Sequence, residues 1–199
     1  MLATVLTYWL GDARTSPAES KKRSKLWYGS AAAVDAEIQE RFGALLKQAE
    51  SGKLDSELNV LSNRIAMVIL LDQLSRNIHR GSPAAFQNDV QCLEIANRTI
   101  EQNLHLQLSY IERTFLYHPF EHSETLQDQQ TSVALFEQLL AEVPDAWRAQ
   151  IQSFTNHAYS HFDIIKNYGR FPHRNATLGR VNTPEEIEFL KKDARRFGQ

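Results

Sequence analysis

Ile65-Ala66-Met67-Val68-Ile69-Leu70-Leu71 is the most apolar run of the chain, and Asp72-Gln73-Leu74-Ser75-Arg76-Asn77-Ile78-His79-Arg80 follows it directly. Upstream, Leu54, Leu58, Leu61, Ile65 and Val68 recur at alternating steps of four and three, the period of an α-helix. A helix that is apolar on every side must be enclosed by other elements. The spacing therefore predicts a central, buried helix around which the rest of the fold is arranged. The run is far too short to cross a bilayer.

The flanking sequence repeats the same period. Leu2, Val5, Leu6 and Trp9 share one face of an opening helix that Gly11 can end. Residues 12–25 show no periodicity and read as a loop. Ser30 can cap a helix with the stripe Val34, Ile38, Phe42 and Leu45, ended by Ser51-Gly52. Ser82-Pro83 starts another helix, with Phe86, Val90, Leu93, Ala96 and Ile100 expected on its inner face. Leu108, Ile111 and Phe115 mark the next, which Pro119 kinks or ends. Ser123 with Glu124 and Gln127 signals a start for the segment carrying Leu126, Val133, Phe136 and Leu140. Pro144 opens a long helix with Trp147, Ile151, Phe154, Ala158, His161, Ile165 and Tyr168 on one stripe, and Gly169 ends it. Residues 170–182 look irregular, and Thr183-Pro184-Glu185-Glu186 favours one last helix. No segment reads as a strand, and no repeat of fixed period is visible. Only 8 Gly and 6 Pro in 199 residues argue for few turns. The expectation is a single all-α domain over 1–199 with seven to nine helices.

Charge narrows the function classes. With 22 Lys and Arg against 24 Asp and Glu, the net charge is −2, and no basic tail is present. A nucleic-acid partner is not expected. The N-terminus lacks the positive region of a signal peptide, so a soluble, cytoplasmic protein without a membrane partner is expected. The one cysteine, Cys92, reads as a small buried hydrophobe. The sequence leaves the oligomeric state open.

Three polar features stand where the apolar pattern has no use for them. Asp72 lies on the buried stripe, and Arg76 four residues on is its nearest partner. A buried ion pair that fixes the helix end and a role in a site explain it equally well. His118/His122 and His157/His161 are spaced by four, a spacing that can grip a metal ion on a helix. Pro119 disturbs the first pair, and neither segment has the glutamate of the zinc-protease motif. A core histidine is the simpler reading of His161, and no metal and no cofactor are expected. Gly169-Arg170-Phe171-Pro172-His173-Arg174-Asn175-Ala176-Thr177-Leu178-Gly179-Arg180 carries three arginines and no acid. These guanidinium groups either pair with acids such as Asp72, Asp89 and Glu124 or form an anion pocket.

The stretches Leu70 to Gly81, Pro119-Phe120-Glu121-His122-Ser123-Glu124 and Gly169-Arg170-Phe171-Pro172-His173-Arg174-Asn175 resemble the signatures of the bacterial family called domain of unknown function 924. Tyr8-Trp9-Leu10-Gly11 and the segment Trp27 to Phe42 also fit, so the resemblance covers nearly the whole chain. It implies an all-helical array of antiparallel hairpins similar to tetratricopeptide folds, and no established activity. Its recurring polar positions correspond to Asp72, Gln73, Arg76, Asn77, Arg80, Asp89, His122, Ser123, Glu124, His161, Arg170, His173, Arg174 and Asn175. Leu74-Ser75 departs from the more usual Phe-Pro, and His118 and His157 are not signature positions.

Two function classes follow, the first expected and the second its alternative. The first is a binding or scaffold module, with Asp72, Arg76, Arg80, His122, Glu124, His161, Arg170, His173, Arg174 and Asn175 forming a pocket for an anionic small molecule or peptide. The second is a hydrolase or isomerase with a His/Glu acid–base pair acting on a phosphorylated or carboxylated substrate. No nucleophile is legible, so no catalytic residue is assigned. Unsatisfied buried polar groups are costly, so Arg76, His122, Glu124, His161, Arg170 and His173 are expected around one site.

Overall fold

The protein is described here by a computed structural model, in which residues 1–29 and 31–192 are described. Among these there are nine helical rods and no strand. They are α1 (Leu2–Trp9), α2 (Pro17–Tyr28), α3 (Ala32–Glu50), α4, α5 (Asp89–Glu101), α6 (Tyr110–His122), α7 (Leu126–Glu142), α8 (Asp145–Tyr168) and α9 (Pro184–Lys192). Rod α4 is continuous but composite: α-helical over Leu61–Val68, π-helical over Ile69–Leu74, and α-helical again over Ser75–Ile78.

Rod α4 is the centre that its sequence predicts. Ile65 to Leu71 are all fully buried. Helices α1, α3, α5 and α6 pack around it, while α7 and α8 pack on each other and on α6. One continuous apolar core joins these elements, and a small second cluster of Ile164, Ile165 and Phe171 lies under the loop that leaves α8. Among the described residues the helices range from 8 to 24 residues. No helix among the described residues is long and apolar enough to cross a membrane.

Four local expectations are corrected. Residues 12–25 are not a loop: a 3₁₀ turn over Gly11–Arg14 leads into α2, where the Ser16 side chain accepts from the Glu19 N–H and Pro17 takes the first position. The helix buries only Ser20 and Trp27, so it has no apolar stripe to read. Pro119 does not end α6, which runs on to His122 with Pro119 buried inside it. Ser123 does not cap the next helix. Its hydroxyl donates to Asp128, and α7 begins at Leu126. Val90 is 73% exposed, because a 3₁₀ turn over Pro83–Phe86 precedes α5, which buries Cys92, Ile95, Ala96 and Thr99 instead. Ser30 lies outside the described residues. Gly169 ends α8 with φ of +68°, a left-handed conformation that glycine adopts without strain.

Candidate functional site

The site grows from the π-helical turn of α4. Asp72, inside that turn, is 1% exposed. Arg76 places Nη1 3.1 Å from Asp72 Oδ1, and the same nitrogen donates to the Asp72 backbone carbonyl. Its Nη2 donates to Asp89 Oδ1 at 2.9 Å, at the first residue of α5. Continuation of α6 through Pro119 delivers His122, whose Nδ1 lies 2.7 Å from Asp72 Oδ1. Burial alone would raise the Asp72 carboxyl, but Arg76 and His122 outweigh it and hold the group far below the ordinary carboxylate range. An ionised Asp72 only accepts, so Nδ1 of His122 carries the hydrogen and Nε2 the lone pair. Burial pushes the His122 imidazole down despite Asp72.

A second pair stands beside the first. His161 of α8 has Nδ1 2.9 Å from the His157 backbone carbonyl and 3.1 Å from Glu121 Oε1. The carbonyl can only accept, so this Nδ1 also carries the hydrogen. Burial, then the neighbouring His122, pushes the His161 imidazole well down. Glu121 is 4% exposed, and its Oε2 has no hydrogen-bond partner. Burial first and the Asp72 charge second push its carboxyl up to about 8. Thus burial pushes both neighbouring carboxyl groups up, but Arg76 and His122 reverse the direction at Asp72. Glu121, His122 and His161 each offer a ligand atom, all within 4.8 Å of one another.

Aromatic and basic groups wall this centre. His118 stacks on His122, with ring centroids 5.7 Å apart. Burial and His122 push His118 down to about 3. The Phe171 ring meets His161 on one side and His173 on the other, each at 5.4 Å. Burial, then Arg174, pushes His173 down to about 3. The Arg174 guanidinium lies 4.6 Å from the Phe86 ring and 4.4 Å from the Phe171 ring. Its ion pair with Asp89 is long, 3.5 Å, and its buried Nε has no partner. Burial, then the Arg76 charge, lowers Arg174 to about 10. The Tyr28 ring meets Trp27 and Phe154, with centroids 6.3 Å apart in each case.

Of the residues singled out in the sequence, Asp72, Arg76, His122, His161 and Arg174 meet here, with His173 at the edge. The others do not. Arg80 donates from Nε and Nη2 to Asp35, at 2.7 and 3.0 Å, and Asn77 donates to the same carboxylate. Arg170 forks onto Glu186 at 2.6 and 2.8 Å. Glu124 takes both Arg180 nitrogens, at 2.6 and 2.9 Å, and the Phe171 N–H. Asn175 donates to Asn182 and Glu186 and accepts from Arg180. The expected convergence therefore splits into a centre and a brace that ties the 170–182 loop to α9. Glu121 belongs to the centre although it stands outside the pocket expected from the sequence. The one available signal for Glu121 was its place beside a signature histidine.

The profile of a bacterial family described as "Bacterial protein of unknown function (DUF924)" matches residues 5–194. The chain belongs to this family. The DUF924 chain is similar along 96% of its length to a solved protein of unknown function from Agrobacterium tumefaciens, with 29% identity, 97% of that chain covered and a TM-score of 0.81. No curated protein matches it.

Proposed function

We propose that this DUF924 protein is an enzyme of the hydrolase or isomerase class that acts on a small phosphorylated or carboxylated molecule. The observation that carries this reading is the Asp72–His122 contact at 2.7 Å, which orients this imidazole within a cluster shared with His161 and Glu121. Carboxylate-oriented imidazoles of this kind serve reaction centres. Arg174 receives the anionic group of the substrate, because among the described residues its Nε has no hydrogen-bond partner and its ion pair with Asp89 is long. A scaffold that reads an anionic peptide has less support, since Arg80, Arg170 and Arg180 already fork onto Asp35, Glu186 and Glu124.

The test compares wild type, Arg174→Met and His122→Ala against a panel of phosphorylated and carboxylated metabolites, by thermal melting and by nuclear magnetic resonance of the mixtures. One class of anion should raise the melting temperature of wild type and His122→Ala but not of Arg174→Met, and only wild type should consume it. Arg174→Met should itself stay within about 1 kcal/mol of wild-type stability, because Asp89 keeps Arg76 as its counter-charge. Equal anion binding by Arg174→Met, or wild-type turnover by His122→Ala, would overturn the reading.

A further inference from the structure

We propose that Glu121, His122 and His161 hold a divalent transition-metal ion between α6 and α8. The inference deepens the enzyme reading by giving the presented imidazole edges a metal to bind, but the binding itself does not depend on that reading.

The donor set is two imidazoles and one carboxylate, a combination that suits zinc, manganese or ferrous iron and leaves coordination positions for water or substrate. The ligand atoms already lie within 4.8 Å of one another. Metal–ligand bonds of about 2.0–2.2 Å require separations of roughly 3.0–3.5 Å, so a side-chain adjustment of about 1–2 Å closes the site. The outer contacts are those of ligating histidines. His122 Nδ1 is held by the Asp72 carboxylate and His161 Nδ1 lies against a backbone carbonyl, contacts that orient both rings. The independent sign of an absent partner is Glu121: a carboxyl oxygen, buried and without a hydrogen-bond partner, in a residue 4% exposed.

The pairing runs across helices, not along them. His118, four residues before His122, is enclosed by the rings of Phe115, Phe136 and Phe154. His157, four residues before His161, is exposed and contributes its backbone carbonyl. The spacing of four that suggests a metal grip in the sequence is therefore not the grip.

The experiment strips the full chain with a chelator and titrates it with Co²⁺, read by visible absorption, and with Zn²⁺, read by calorimetry. Wild type should bind one equivalent, with a Co²⁺ d–d spectrum of low coordination number. Glu121→Gln and His161→Ala should each lose at least about 100-fold in affinity, and Asp72→Asn should lose about 10- to 100-fold by releasing His122. His157→Ala should bind as wild type does. Glu121→Gln is nearly isosteric, so it decides the matter if His161→Ala fails to fold by circular dichroism. No stoichiometric binding by wild type, full binding by Glu121→Gln, or loss in His157→Ala would overturn the proposal. Anion binding that needs Arg174 in a protein that takes up no metal would leave the enzyme reading standing while the metal site falls. Stoichiometric metal without anion binding would do the reverse.

Discussion

The arginines of this protein are used in two ways. In the brace, each guanidinium meets one carboxylate of its own: Arg170 forks onto Glu186 and Arg180 onto Glu124, and the leftover acceptors take backbone or amide N–H groups. In the centre, carboxylates are shared. Asp72 serves Arg76, His122 and Gln73, and Asp89 serves Arg76 and Arg174. Among the described residues, Arg174 Nε and Glu121 Oε2 have no hydrogen-bond partner. In the brace each carboxylate has a guanidinium of its own, whereas the centre has a donor and an acceptor to spare. A count of arginines in the sequence does not separate the two, but the state of each hydrogen bond does.

The contrast can be broken most forcefully at Arg76. Arg76→Met leaves the buried Asp72 carboxylate with no full cation, and should lower the unfolding free energy by about 3–5 kcal/mol in a urea titration. A loss below 1 kcal/mol would mean that His122 alone compensates Asp72. In the brace, Arg180→Met should cost about 1 kcal/mol, because both partners are about a quarter exposed and Glu124 keeps the Phe171 N–H. The same variant should leave anion and metal binding unchanged, and an altered affinity would erase the division. The smallest effect sharpens the comparison by pH. The Arg170 fork, aided by the Thr183 N–H, holds the Glu186 carboxyl down to about 2 from its ordinary 4.5. A depressed native value means that this stabilisation is complete above the ordinary value and is lost as pH falls from about 4.5 through about 2. Over that window the stability of Glu186→Gln should fall less steeply than that of wild type. Parallel acid profiles would show that the fork adds nothing.

Much of the fold is legible because helices announce themselves through apolar period. The run Ile65 to Leu71 demands enclosure, and Gly169 stops α8 where its stripe ends. Helix α2 is hidden because it buries only Ser20 and Trp27, so packing leaves no pattern in its composition. Within the centre, Asp72 and Arg76 are readable because one helical turn joins them. The pairing of Glu121 with His161 is not, because they meet across two helices forty residues apart in the chain. The partners of Arg170 and Arg180 are hidden for the same reason: the choice between Glu186, Glu124 and Asp72 is made by the path of the 170–182 loop. Pro119 misleads in the opposite direction, since a buried helix held by neighbours on several sides tolerates a missing N–H that an isolated one would not.

The π-helical turn of α4 makes the protein sensitive to chain length as well as to residue identity. A wider turn amounts to one extra residue, so the two α-helical halves of the rod run out of phase by about 100°. Deleting a single residue between Ile69 and Leu74 would restore a plain α-helix and rotate everything after it by that angle. Arg76 would swing off Asp89, and Asn77 and Arg80 would swing off Asp35, although every one of those side chains would still be present.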